Sequence, residues 1–329
     1  MGRRWPWQRS RPTPAPAPAP AQGDATVAAP REPEALGSDF EAMRALAAAH
    51  LPPDVAQVWL GHLRPAVRLH SAAASDPVIA RLGGTPVVPE GFEWPVWEGH
   101  GPLAFIGEVD LDALHAAGLP LDVALPSSGR LLAFYFDGSY DDFAGIVGTW
   151  DPETLAGARL VHVREAREEC AAVATPPRVE EFGEQALTGR STLTFAGWEH
   201  PALVRAFGAE GLPHREWMAH PVNGEAFGQA LWDLRAGQPL HQIGGWADPQ
   251  QGPVEAEVAH AAPDQAFTFG ATEQPGRVDD VLAWSLLLQI DSDDASAMMW
   301  GDVGTLYWLG RPGGDEDPLA TVSFTWQCS

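Results

Sequence analysis

A chain of 329 residues with 45% hydrophobic content can bury a sizeable core and suits two ordinary domains or one large one. Acids number 44 against 20 bases, every base is Arg, and the net charge of −24 disfavours nucleic acid and anionic membrane surfaces as partners of the folded body. Cys170 and Cys328 lie outside any C-x-x-C pair, which excludes a zinc knuckle or a disulfide framework and fits a reducing cytoplasm.

Residues 1–36 form a separate regime. Arg3, Arg4, Arg9 and Arg11 precede Pro12-Thr-Pro-Ala-Pro-Ala-Pro-Ala-Pro20, a composition that favours extended polyproline II and buries nothing, so a basic disordered tail is expected. It lacks the apolar stretch of a signal peptide, and no run of 18 apolar residues occurs anywhere, so no bilayer span is expected.

Ser38-Asp-Phe-Glu41 has capping-box spacing, and Phe40, Met43, Leu46 and Ala47 repeat at helical intervals, predicting a helix over about 39–50. Pro52-Pro53 stops it, and Val55, Val58, Trp59 and Leu63 predict a second short helix, giving a helical hairpin over 37–64. A first β unit follows over 65–197. In it, residues 103–109 read as a buried strand, Asp110 caps a short helix ended by Gly118, and 130–136 read as an aromatic-rich strand. Residues 146–150, 159–163 and 191–195 are expected to be further strands. Helical periodicity returns over a 198–236 insert, through Leu203, Val204, Phe207, Phe227, Leu231 and Leu234. A second β unit over 237–329 carries strands at 281–290, 303–309 and 320–326. Short strands with few long helices between them predict an antiparallel sheet.

The two β units repeat one phrase. Arg81-Leu-Gly-Gly-Thr-Pro86, Leu103-Ala-Phe-Ile-Gly-Glu-Val-Asp110 and Gly129-Arg-Leu-Leu-Ala-Phe-Tyr-Phe136 are echoed in order by Gln242-Ile-Gly-Gly-Trp246, Leu286-Leu-Leu-Gln-Ile-Asp291 and Gly304-Thr-Leu-Tyr-Trp308. Gly245 follows Gly84 by 161 residues, Asp291 follows Asp110 by 181 and Gly304 follows Gly129 by 175. Those offsets differ by loop-sized amounts, so two copies of one unit are expected. The fold class read from this pattern is α+β: internally duplicated, mostly antiparallel β units related by a pseudo-twofold, with an N-terminal helical hairpin and a helical insert.

Gly83-Gly-Thr-Pro-Val-Val-Pro89 with Trp94-Pro95, residues 103–110 and Leu125-Pro126, followed by His241-Gln-Ile-Gly-Gly245, Gln250, residues 286–294, Trp300-Gly-Asp302 and Gly304, resemble the YwqG-like family over roughly residues 65–327. That family is a domain of unknown function. The resemblance implies an α+β fold with internal duplication and no established activity, substrate or catalytic set. The first copy departs from the family pattern at Glu108, where Gln is usual and where the second copy has Gln289.

The Gly-Gly pairs match neither phosphate-loop spacing and read as tight turns needing positive φ. Asp291, Asp293, Asp294 and Asp302 cluster oxygens at a strand end. They could hold a divalent cation, although Ser296 and Asp302 stand where a twelve-residue calcium loop wants Gly and Glu; a solvated turn is the alternative. His241 could face Gln250, Gln289 or Asp302 across the units, or be a hydrogen-bonded structural histidine. Of fourteen tryptophans, Trp94, Trp97, Trp246, Trp300, Trp308 and Trp326 lie on or near the repeated motifs, filling a core or lining a groove. Neither H-E-x-x-H nor a G-x-S-x-G elbow occurs.

These features favour a non-enzymatic cytoplasmic binding protein for a small molecule or a basic protein, with a site at His241, Gln250, Gln289, Asp291, Trp300 and Asp302. No catalytic residue and no cofactor beyond a divalent cation is indicated. The alternatives are an immunity-type protein that neutralises a basic toxin and a metal-assisted hydrolase using Asp291, Asp293 and Asp302.

Overall fold

The computed structural model describes residues 36–141, 143–234, 237, 239–260, 275–311 and 319–329. The tail expected over 1–36 lies outside them, apart from Leu36. Helix α1 (Gly37–His50) turns Met43 and Ala47 inward, and α2 (Pro53–Leu60) begins with proline at a first-turn position, where its missing N–H costs nothing. The expected capping box does not form. The helix already begins at Gly37, which puts Ser38 inside its first turn, and no side chain caps it.

Ten strands make one sheet in which every pairing is antiparallel: β1 (Arg64–Ser71), β2 (Ala80–Leu82), β3 (Ala104–Asp110), β4 (Arg130–Tyr135), β5 (Ala158–Val163), β6 (Gln185–Thr194), β7 (Gln242–Ile243), β8 (Ser285–Asp291), β9 (Thr305–Gly310) and β10 (Val322–Gln327). Their spatial order is β10-β9-β8-β7-β1-β6-β2-β3-β4-β5. The sheet curls into a large, nearly closed barrel-like form. Tyr135 of β4 thereby meets Phe324 of β10, with ring centroids 5.2 Å apart, and a core of Leu69, Ile106, Phe134, Ile290 and Trp308 fills the inside.

Strands β3, β4, β8 and β9 are buried on both faces, which is why they read as continuous apolar runs. Asp110 accepts a hydrogen bond from the Ala113 N–H and caps α3 (Leu111–Ala116). Helices α4 (Pro201–Ala206), α5 (His214–Met218) and α6 (Glu225–Leu234) pack with α1 and α2 on a second core around Trp59, Trp217, Phe227 and Trp246. Two further helices, α7 (Val254–Ala259) and α8 (Pro275–Leu282), lie within the second β unit. Val254 and Val258 of α7 cover Leu286, Tyr307 and Leu309 on the outer face of β8 and β9. Among the described residues no helix is long and apolar enough to cross a membrane.

The strand expected at 146–150 is not one. Strand β4 is already paired on both edges by β3 and β5, which leaves this segment no partner, and Ile146 and Trp150 are exposed. The run expected as one strand over 281–290 divides, its first two residues ending α8 and the strand starting at Ser285.

The two ends of the sheet share a register. Arg81 pairs with Glu108 and Leu82 with Gly107, as Gln242 pairs with Gln289 and Ile243 with Leu288. A register shift falls between Phe105 and Gly107 in the β3–β4 pair and between Leu286 and Leu288 in the β8–β9 pair. Gly83, Gly84, Gly244 and Gly245 all have φ between 56° and 71°, as the tight turns require.

Candidate functional site

The two middle strands set the site. β1 and β6 pair so that Arg68 lies directly opposite Arg190 and His70 opposite Thr188. On the other side of β1, Arg68 pairs with Gln242, and the Leu69 N–H donates to the His241 carbonyl. His241 is thus brought to the centre of the sheet by the short strand β7.

His241 is 1% exposed and both ring nitrogens are engaged. Nδ1 accepts from the Asp291 N–H at 3.1 Å, so the proton resides on Nε2, which donates to Asp293 Oδ2 at 3.0 Å. That hydrogen bond, opposed by burial and helped by the Ala295 N–H, holds the Asp293 carboxyl below its usual value. His241 therefore ties β7 to the turn after β8, and neither nitrogen is left for a ligand or a proton transfer.

The other expected residues are also committed to the fold. Asp291 accepts from the Leu240 N–H and the Thr305 hydroxyl, both within 2.9 Å. Gln289 accepts from the Asp248 N–H and donates to the Leu240 carbonyl. Gln250 donates from its side chain to the Val303 carbonyl and Thr305 Oγ1. Trp300 is 3% exposed in the core, edge-on to Tyr135 and Phe182, and so does not face His241. Asp294 and Asp302 are exposed, whereas Asp291 and Asp293 are buried. The four aspartates expected as cation ligands do not converge: among the described residues no group of three or more His, Cys, Asp or Glu is placed to hold a metal. The reason is that the buried pair spends its oxygens on N–H and O–H donors of Leu240, His241, Ala295 and Thr305.

The structure instead gathers residues that the motif reading passed over. A cavity of about 530 Å³ is walled by Arg68, His70, Arg190, Gln185, His241 and Asp293, with Asp39 of α1 also at its edge. Partial burial, together with the positive charges of Arg190 and Arg68 and the His241 ring, holds the His70 imidazole below its ordinary value. Like charges directly opposite on adjacent strands are destabilising. Here both arginines line the cavity. The signal in the sequence is the alternation Arg68-Leu-His70, which puts two bases on one face of β1 while Val67 and Leu69 enter the core.

At the other end of the sheet Glu108 is buried. It accepts from Arg130 Nη1 at 2.9 Å and from Arg167, with Arg81 at 3.9 Å. Glu108 is thus the centre of an arginine cluster, whereas Gln289 is bound by neutral groups.

A family model described as a domain of unknown function, DUF1963, matches residues 80–328 of the chain. No curated protein matches it.

Proposed function

The chain belongs to the DUF1963, or YwqG-like, family, and from that premise we propose that it is a non-enzymatic cytoplasmic binding protein that takes a small anionic ligand at the centre of its sheet. The observation that carries this reading is the cross-strand pair Arg68–Arg190 with His70, opening on a cavity of about 530 Å³ in a chain of net charge −24. Arginine presents a planar fork of donors suited to carboxylate or phosphate oxygens. His241 and Asp293 are positioning residues that brace the wall.

The proposal includes an internal duplication with the site at its axis. The matched registers, the matched shifts at Phe105/Gly107 and Leu286/Leu288, and the two positive-φ glycine pairs are what two copies of one unit would give. On this reading β1 and β6 form the seam between the copies, and the ligand sits on the pseudo-twofold.

The test is a thermal-shift titration with inorganic phosphate and with malonate against sodium chloride at matched ionic strength, in wild type and in Arg190→Gln. Arg190 is exposed, so the variant is expected to fold. Saturable stabilisation by an oxyanion that is lost in Arg190→Gln is the expected result; an equal response in both proteins, or none, refutes the site.

A further inference from the structure

A second cavity, of about 420 Å³, lies between the helical layer and the segment leading into α7, and it has the opposite chemistry. Trp59, Phe195, Trp198, Phe227, Trp232 and Trp246 supply an aromatic wall. Every base in the chain is Arg, yet among the described residues none lines this space; its titratable members are Glu199, Glu225, Glu255 and His200.

Glu255 of α7 is 2% exposed. Burial pushes its carboxyl up, but the neighbouring His200, with the Arg64 charge behind, more than offsets this and leaves it below the usual value. Its Oε2 lies 3.3 Å from His200 Nε2. His200 Nδ1 accepts from the Ala202 N–H, so the proton sits on Nε2, near the carboxylate but without closing a hydrogen bond to it. The second oxygen, Oε1, is buried with no hydrogen-bond partner among the described residues. Asn223, on the same cavity, donates from Nδ2 to the Trp217 carbonyl at 2.7 Å, which fixes Oδ1 as an acceptor, and that atom too is buried without a partner.

Two orphaned acceptors, one of them an ionised carboxylate, stand in an aromatic cavity that no arginine lines; Arg64 reaches only the face of Trp246, with its Cζ 3.4 Å from the ring centroid. Buried acceptors left unpaired are costly, and cations are attracted to the faces of tryptophan rings. We infer that this cavity binds a protonated organic amine, whose N–H groups reach Glu255 Oε1 and Asn223 Oδ1 while its apolar body lies against the tryptophans. The site is independent of the anion cavity and shares no lining residue with it.

Intrinsic tryptophan fluorescence of the full chain, titrated at pH 7, tests this with three probes that share one body: phenethylammonium, its N-trimethylated form and phenethyl alcohol. A charged hydrogen bond corresponds to about 10- to 100-fold in affinity, so the primary ammonium should bind at least about tenfold tighter than either comparison. Equal affinity for the ammonium and the alcohol, equal affinity for the two cations, or no saturable change overturns the inference. Glu255→Gln should erase the preference for the ammonium. Should that variant not fold, Trp232→Ala decides, because Trp232 is 67% exposed and tolerant of truncation. It should weaken the ammonium about two- to fivefold, and an unchanged affinity would place the probe elsewhere and overturn the assignment. Saturating phosphate should leave the titration unaltered, so the outcome is separable from that at the arginine pair.

Discussion

Replacing Glu108 by Gln removes one negative charge from a cluster that contains a buried arginine. Arg130 is 2% exposed, and its Nη1 donates to Glu108 Oε2 at 2.9 Å and to the Val87 carbonyl at 2.6 Å. Arg167 and Arg81 also face Glu108, but their side chains are 36% and 32% exposed, so solvent screens them and their pairs contribute about 1 kcal/mol or less. The cost therefore falls on Arg130, left as a buried cation without its counter-charge, and breaking such a pair costs about 3–5 kcal/mol. Glutamine keeps one acceptor in place, which argues for the lower end, about 3 kcal/mol. At about 2 °C per kcal/mol for a chain of this size, the melting temperature should fall by about 6 °C, and the urea midpoint should fall with it. The double variant Glu108→Leu, Arg130→Met removes both charges and should recover most of the loss, since an apolar pair of similar volume can match a buried ion pair. A single-variant loss below about 1 kcal/mol, or a double variant no more stable than the single, would refute the reasoning.

Three further outcomes are expected. The His70 ring proton, followed by NMR, should titrate below the ordinary histidine value because the unliganded cavity disfavours its charge. Phosphate bound beside it should raise the midpoint, and an unmoved midpoint at saturation would count against an anion in contact with that group. Asp293→Asn should cost about 1 kcal/mol at neutral pH by exchanging a charge-assisted hydrogen bond for a neutral one. The depressed carboxyl stabilises the fold above its unfolded value near 4 and loses that contribution as pH falls through the lower folded value, so wild-type and variant urea midpoints should converge on acidification. Gly245→Ala should cost about 2–4 kcal/mol, because its φ is +71° and an added Cβ would stand 2.5 Å from the Thr194 hydroxyl that accepts the Trp246 N–H. A loss of no more than about 0.5 kcal/mol in a thermal melt would refute that account.

Much of the architecture is legible in the sequence because its signals are local. Asp110 before an apolar turn, Gly118 after it and paired glycines beside short apolar runs each fix a conformation within a few residues, and the structure contains the capped helix and the positive-φ turns. The signals fail where an element is decided by what lies across from it. Val254, Ala256 and Val258 alternate as in a strand, yet they belong to α7, whose burial over β8 and β9 overrides that pattern. The run from Val281 to Ile290 is apolar throughout, and periodicity alone cannot divide it between the end of α8 and the start of β8.

The site resisted the sequence for a related reason. Polar residues inside repeated motifs draw attention, but a motif persists when its side chains hold a turn together, and His241, Gln289 and Asp291 do that with backbone groups of their own neighbourhood. Residues that answer to a ligand need open space and side chains gathered on one face, and both depend on register. Arg68 and Arg190 become a pair only because Leu69 pairs with Gly189, an alignment of strands far apart in the sequence. A slip of one residue would put Arg68 opposite a neighbour of Arg190 and turn the two guanidinium groups to different faces. The charge pattern of the cavity is therefore a property of the β1–β6 alignment. Arg190→Gln, which leaves that alignment in place, should abolish anion stabilisation while leaving the amine probe at the tryptophan-lined cavity unaffected.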